Sequence, residues 1–142
     1  MPAEGVYFSP SGKKTFIPLE NNPDVFTPLI HDLGISPSLG FYDVYSLDEP
    51  ALLSLIPRPA LALIFITPSP MYHQTIGNAC GLYALIHAVA NGEAREFVSK
   101  GSLMDRLLEK AEPLGWEERA AVLYESEELE EAHMKAARKG DT

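Results

Sequence analysis

Residues 73–92, HQTIGNACGLYALIHAVANG, contain the only cysteine of the chain, Cys80, at the start of an apolar run. Free cysteine is one of the most buried residue types, so a lone cysteine usually packs as a small hydrophobe. Asn78, however, is a good helix N-cap, which predicts a helix over 78–92 with Cys80 in its first turn. The unpaired N–H groups and the dipole of that turn stabilise a thiolate, the nucleophilic form of cysteine.

Three neighbours of Cys80 are suited to acyl-transfer chemistry. Gly77 and Gly81 flank the turn with little steric bulk, which leaves room for a substrate carbonyl to approach. The backbone N–H of Cys80 is itself a ready oxyanion donor, and the amide of Gln74 supplies a second donor if the loop folds back. On these residues alone, a nucleophile and a structural cysteine both remain open.

A helix is predicted upstream of the motif, in ENNPDVFTPLIHDLG (20–34). Asn22 can cap it, Pro23 suits its first position and Gly34 ends it. Pro28 lies inside the pattern and allows a break or a bend. The predicted apolar stripe comprises Val25, Phe26, Leu29, Ile30 and Leu33.

Two strands and a short helix are predicted between that helix and the cysteine. The aromatic and β-branched content of SLGFYDVYSL (38–47) favours a strand. DEPALLSLIP (48–57) predicts a short helix that is capped by Asp48 and ends before a proline. The continuous apolar run 61–67, between prolines, is typical of a strand buried on both faces.

The last third of the chain is predicted to be almost wholly helical. Ser102 with Asp105 opens one helix, and residues 115–126 and 127–140 form two more. The acidic cluster 125–131 is interpreted as a solvated helix face. An apolar stripe on the cysteine helix is assigned to core packing and contains Leu82, Leu85, Ile86 and Val89. Too few strands are visible for a complete sheet, so the fold class is α/β or α+β with an incomplete sheet.

Composition limits the kinds of partner and compartment. The 142 residues fit one domain, and one cysteine cannot form an internal disulfide, which favours a reducing compartment. The N-terminus lacks the apolar core of a signal peptide and no apolar run reaches membrane-spanning length, so the cytoplasm or nucleus is expected. A net charge of −9 argues against nucleic acid. The negative charge either favours a basic partner or serves only to keep the protein in solution.

The four histidines show no paired metal-ligand spacing with the cysteine, so no metal and no cofactor is expected. His87 lies two turns after Cys80 and is expected on the core side of the helix, out of reach of the thiol. His73 adjoins the motif glutamine in sequence and is expected to point away from the site. His31 and His133 are expected to be solvated surface residues.

The motif QTIGNACG (74–81) resembles the active-site motif of the ubiquitin carboxyl-terminal hydrolases, thiol proteases with a papain-like α/β fold. The resemblance extends from Phe16 to Thr142. IPLENNPDVF (17–26) is similar to the family's N-terminal segment, and residues 41–65 are similar to its first strand, helix and central strand. Residues 118–142 are similar to the helical stretch before its crossover loop.

The resemblance implies a function and a set of site residues. Residues 1–142 would be the N-terminal, nucleophile-bearing portion of one catalytic domain, with an incomplete central sheet surrounded by helices. Cys80 would be the nucleophile, Gln74 the oxyanion stabiliser, and Asn22 part of the ubiquitin-facing surface. The partner would be the arginine-bearing tail of ubiquitin, with no nucleic acid and no membrane. The reaction would be thiol-dependent cleavage after ubiquitin's terminal glycine.

The sequence also departs from the family pattern. The family's catalytic histidine and its orienting aspartate lie after the crossover loop, and neither of their motifs, HF and LYELDG, occurs here. The stretch TPSPMYHQ (67–74) is shorter than its family counterpart. This chain alone is therefore expected to be inactive. The alternatives are a non-catalytic ubiquitin-binding fragment, a vestigial splice or gene-model product, and another acyl-transfer thiol enzyme of the same strand–turn–helix type.

Overall fold

A computed structural model describes residues 6–8, 10, 12–64 and 80–140 of the chain. The strands are β1 (Tyr7–Phe8) and β2 (Lys14–Thr15), and the helices are α1 (Pro23–Leu33), α2 (Pro50–Leu53), α3 (Cys80–Ala90), α4 (Leu103–Ala111), α5 (Trp116–Glu125) and α6 (Glu127–Ala137), with a 3₁₀ segment over Gly92–Phe97. No helix in these described ranges is long and apolar enough to cross a membrane.

The prediction for α1 is confirmed at both ends. The side-chain oxygen of Asn22 accepts a hydrogen bond from the Asp24 N–H at 2.9 Å. Gly34 adopts a left-handed conformation with φ of 106° and donates its N–H to the carbonyls of Ile30 and His31. The helix continues through Pro28 from its first residue to its last, so the proline does not interrupt it.

Helix α1 contributes five buried side chains to the hydrophobic core. It packs against α6, while α4 packs against α5 and α3 packs against the 3₁₀ segment. The backbone after α1 is fastened to the residues after the 3₁₀ segment by an antiparallel bridge between Ile35 and Val98. The largest fully buried side chains are Phe16, Leu29, Ile30, Leu33, Ile35, Leu82, Leu85, Met104, Leu129, His133 and Met134.

The helices predicted after the motif are also confirmed. The stripe of α3 that was assigned to core packing is buried. At the start of α4, the Ser102 hydroxyl accepts from the Asp105 N–H at 3.2 Å, and the Asp105 carboxylate accepts from the Gly101 N–H at 2.8 Å. These two hydrogen bonds give partners to backbone N–H groups that have none within the helix. The two helices predicted in the last third are α5 and α6.

The two predicted strands are not formed in the described residues. Residues 38–47 are irregular and leave Tyr45 and Leu47 exposed; residues 61–64 are also irregular, with Leu63 66% exposed. Residues 65–67 lie outside the described part. A strand needs a hydrogen-bonded neighbour, and within the described ranges the sheet consists of β1 and β2 alone, paired antiparallel. The α+β class is therefore confirmed, while these strand predictions are wrong over the described residues.

The predicted cap of α2 is displaced by one residue. The helix begins at Pro50, and Glu49 rather than Asp48 occupies the N-cap position. Proline is favoured at the first helical position because its missing N–H has no partner there in any case. Asp48 instead accepts a hydrogen bond from the Ser46 hydroxyl at 2.9 Å.

Candidate active site

Cys80 is the first residue of α3, and its side chain is exposed to solvent. The N–H groups of a first helical turn have no carbonyl partner within the helix and form the positive end of its dipole. The Cys80 thiol therefore lies at this end of the helix, where a substrate can reach it. These two properties are what a nucleophilic cysteine requires.

The first turn of α3 packs against α1 and the segment that precedes α1. A methyl group at Gly81 would lie 3.5 Å from the Cβ atom of Leu19 and 3.5 Å from the Cζ atom of Phe26. Phe26 is only 4% exposed, and Leu19 is partly buried against the core. The helix end that carries Cys80 is thus supported by two side chains that lie on either side of Asn22 in sequence.

Phe26 is in turn held by the loop that follows α1. Its ring meets that of Phe41 edge to face, with centroids 5.3 Å apart and planes at 80°. The Phe41 N–H donates to the Thr27 hydroxyl oxygen at 2.8 Å. This bond ties the Phe41 backbone to Thr27, the residue that follows Phe26 on α1.

Two of the predicted site residues, Cys80 and Asn22, lie in the part of the chain that the structure describes. The contacts of Gly81 place the first turn of α3 beside the 19–26 segment, which contains the half-buried Asn22. Gln74 and the predicted cap Asn78 lie outside the described residues. The support that Leu19 and Phe26 give to α3 was missed, because a pattern within α1 does not indicate which helix it meets.

His87 was expected on the core side of α3, and this expectation is wrong. Its side chain is exposed, and its Nδ1 atom lies 3.4 Å from the Asn91 amide nitrogen. A separation of seven residues is close to two full turns, so His87 shares a face with Cys80 and lies about 10 Å further along the axis. That distance keeps the imidazole out of reach of the thiol.

His133 and His31 were expected to be solvated, and this is also wrong. His133 is fully buried, and its Nε2–H donates to the Ile17 carbonyl at 2.7 Å. Burial lowers the pKa of His133, while the bond to Ile17 opposes that shift. His31 is half-buried, with Nε2 2.7 Å from the Leu39 carbonyl oxygen. His73 lies outside the described part of the chain.

The acidic cluster of α5 and α6 is not wholly solvated, which corrects the predicted solvated face. Glu130 is 1% exposed and forms an ion pair with the buried Lys14. The Lys14 ammonium also donates to the Tyr124 carbonyl at 2.5 Å. Burial lowers the pKa of Lys14, and the carboxylates of Glu127 and Glu125 oppose this effect. A buried carboxylate is tolerated because it is paired.

Residues 16–72 and 70–142 match the sequence model of a family described as "Ubiquitin carboxyl-terminal hydrolase, family 1". This chain belongs to that family. The family match includes the motif around Cys80 and the α1 segment that packs beneath it. Its two segments meet inside residues 67–74, the stretch that is short compared with the family pattern.

Individual family members show the same relationship. A ubiquitin carboxyl-terminal hydrolase of Aplysia californica is 37% identical over 152 residues, covering 93% of this chain and 71% of the relative. Ubiquitin carboxyl-terminal hydrolase 3 of Arabidopsis thaliana is 34% identical over 157 residues, covering 93% of this chain and 67% of the relative. Ubiquitin carboxyl-terminal hydrolase YUH1 of Saccharomyces cerevisiae is 33% identical over 113 residues, covering 67% of this chain and 47% of the relative. The chain thus spans between 47% and 71% of the length of these relatives.

Proposed function

We propose that residues 1–142 are the nucleophile-bearing portion of a deubiquitinase catalytic domain and that Cys80 is its nucleophile. The observation that carries the proposal is the exposed thiol at the N-terminus of α3, within a segment that matches the hydrolase family. The lone cysteine is compatible with a reducing compartment. The proposed location is therefore the cytoplasm or the nucleus.

The proposed reaction is acyl transfer from ubiquitin to Cys80. The thiolate sulfur attacks the carbonyl carbon of ubiquitin's terminal glycine, and the carbonyl oxygen becomes an oxyanion. The C–N bond then breaks, the leaving amine takes up a proton, and a thioester remains that water hydrolyses to thiol and carboxylic acid. The Cys80 N–H and the Gln74 amide are proposed as oxyanion donors, a role that in other enzymes contributes several kcal/mol of transition-state stabilisation.

Asn22 is proposed to contact ubiquitin through its amide nitrogen, because its side-chain oxygen is engaged in capping α1. The variant Asn22→Asp keeps the capping oxygen and removes the amide N–H₂ group. It should weaken the binding of a ubiquitin probe and leave the free energy of unfolding close to that of wild type. Asn22→Ala, which removes both groups, should lower both. If Asn22→Asp binds the probe as well as wild type, the proposed contact is wrong.

A second candidate function is capture of ubiquitin without turnover. It is favoured by the described histidines: His31 and His133 each donate Nε2–H to a backbone carbonyl, and His87 lies two turns from Cys80. General acid–base catalysis contributes about 10²–10⁴-fold, and its absence would slow both formation and hydrolysis of the thioester. We therefore propose that this chain alone reacts with activated ubiquitin but hydrolyses ubiquitin derivatives negligibly.

The test uses ubiquitin with an electrophile at its C-terminus, followed by mass-spectrometric mapping of the modified residue. Wild-type chain should be modified once, at Cys80, and Cys80→Ala should not be modified. A fluorogenic ubiquitin C-terminal amide then measures turnover. Repeated turnovers that vanish in Cys80→Ala would show that a base is present and would refute the capture candidate. No modification at Cys80 would refute the deubiquitinase proposal.

A further inference from the structure

The first turn of α3 meets the rest of the molecule through the buried Leu82 and at Gly81. The buried stripe that joins α3 to the core starts at Leu82 and continues towards the C-terminus of the helix. Gly81, the residue before that stripe, has no side chain of its own to pack, so its position depends on the side chains that meet it. What meets the turn here is Leu19 and Phe26, each with an atom 3.5 Å from the position of a Gly81 methyl group.

Phe26 is well suited to fix the position of that turn. It is 4% exposed, and it belongs to the buried face of α1, which packs against α6 on another side. Its ring is held edge to face by Phe41, whose N–H is bonded to Thr27 on the next position of α1. A rigid aromatic ring with a fixed neighbour cannot move aside without cost, because protein interiors are close-packed.

We propose that Phe26, which is held by Phe41 and meets the first turn of α3 together with Leu19, is a positioning residue for Cys80. Its ring sets the position of the first turn of α3, and with it the position of the thiol and of the Cys80 N–H relative to a substrate carbonyl. This inference rests on the proposed function. A misplacement of about 1 Å can cost an enzyme about 10²-fold in rate, so a small tilt of this turn matters for the reaction while barely affecting the fold.

The experiment compares two probes on the full chain. Ubiquitin with a C-terminal electrophile requires correct geometry at Cys80, whereas iodoacetamide requires only an accessible thiolate. Phe26→Ala should lower the maximal rate of modification by the ubiquitin probe by about 10-fold or more, with little change in the half-saturating probe concentration. Its rate with iodoacetamide should change by less than about 3-fold, because the thiol stays exposed at a helix N-terminus. Phe26→Leu, which refills most of the space, should recover most of the lost rate.

Leu33→Ala is the matched control, since Leu33 is fully buried on the same helix but belongs to its last turn. All rates are measured at a temperature where urea unfolding shows each variant to be folded. Leu33→Ala should destabilise the chain without a selective loss with the ubiquitin probe. If Leu33→Ala and Phe26→Ala slow that probe equally, the effect is general destabilisation and the positioning role is refuted.

A pair of size changes keeps the inference testable even if Phe26→Ala folds poorly. In Gly81→Val, the new Cβ would touch Leu19 and Phe26, and two further methyl groups would extend beyond it. The variant should therefore displace the turn and slow the reaction with the ubiquitin probe. Adding Phe26→Leu to Gly81→Val should restore part of that rate, because it removes the aromatic ring that the new methyl groups meet. Substitutions at residues in contact have coupled effects, whereas substitutions at independent residues have additive effects. If the rate losses of Gly81→Val and Phe26→Leu simply add in the double variant, the inference is refuted.

The outcomes separate this inference from the proposed function. If wild-type chain reacts with iodoacetamide but not with the ubiquitin probe, the proposed function fails and the inference fails with it. If wild-type chain reacts with both probes and Phe26→Ala keeps its full maximal rate with ubiquitin, the inference alone is refuted.

Discussion

Replacing His133 with glutamine should make the stability of the chain less dependent on pH. The imidazole is 0% exposed, and its Nε2–H donates to the Ile17 carbonyl. Its Nδ1 atom is buried and has no hydrogen-bond partner within the described residues. A proton added to Nδ1 would be a buried charge without a partner, and burial accordingly lowers the pKa of His133 below its ordinary value of 6.5.

The sign of the effect follows from proton linkage. Well above pH 6.5, the ordinary pKa of histidine, the residue is neutral in both states. As the pH falls below that value, the unfolded chain takes up a proton that the folded chain resists, so the free energy of unfolding decreases. The decrease is at most about 1.4 kcal/mol per pH unit, and it ends when the pH reaches the lowered pKa of the folded state.

The loss of stability expected for His133→Gln follows from the contacts of the imidazole ring. Glutamine retains an N–H donor for the Ile17 carbonyl but loses the ring that lies 4.7 Å from that of Phe16. The aromatic contact is worth about 0.5–1.5 kcal/mol beyond its buried area. The variant should therefore be less stable by about 1–3 kcal/mol above neutral pH. That deficit should shrink as the solution is acidified, because only the wild-type chain carries the buried histidine.

Urea unfolding at a series of pH values measures this difference directly. The other ionisable groups, including the Lys14–Glu130 pair, are the same in both chains, so their contribution cancels in the comparison. His87→Gln is the matched control, since His87 is exposed on α3, and it should follow the wild-type curve. If the curves for His133→Gln and wild type run parallel from neutral to acid pH, the assignment of a buried neutral imidazole is wrong.

Three further changes test contacts of the described fold through the urea midpoint. Gly34→Ala should destabilise by about 1–2 kcal/mol or more, because φ there is 106° and the new methyl would collide with Ser102. Ser102→Ala removes the N-cap acceptor of α4 and should cost about 0.5–2 kcal/mol; Ser102→Asp, which keeps an acceptor, should not. Lys14→Met leaves Glu130 buried without its cation and should cost about 3–5 kcal/mol, and a second change, Glu130→Leu, should recover much of it. An unchanged midpoint in Gly34→Ala, Ser102→Ala or Lys14→Met would refute the corresponding assignment.

Features that depend on neighbours in sequence could be predicted from the sequence. The cap at Asn22, the left-handed Gly34 and the Ser102–Asp105 start of α4 each involve residues within a few positions of one another. The thiol at the start of α3 belongs to the same class, because its place in the helix is predicted from Asn78, two residues earlier, and from the apolar run that follows. These predictions succeed because backbone N–H groups at helix ends need local partners.

Features that depend on distant parts of the chain could not be predicted in this way. The buried Glu130 requires Lys14, and the buried His133 requires the carbonyl of Ile17, which lies 116 positions earlier. Nothing in the acidic pattern of α6 indicates which of its polar residues will face such a partner. The strand predictions failed for the same reason, since an apolar run becomes a strand only where another strand pairs with it.

The nucleophile motif is therefore only one part of what places the thiol. The segment 14–19 is bound to α6 at Lys14 and Ile17, and two residues later Leu19 contacts the first turn of α3. From there the chain enters α1, whose Phe26 supports the same turn. A displacement of this segment from α6 would remove a support of α3 without touching any residue of the motif. The position of Cys80 thus depends physically on the N-terminal segment and on α6.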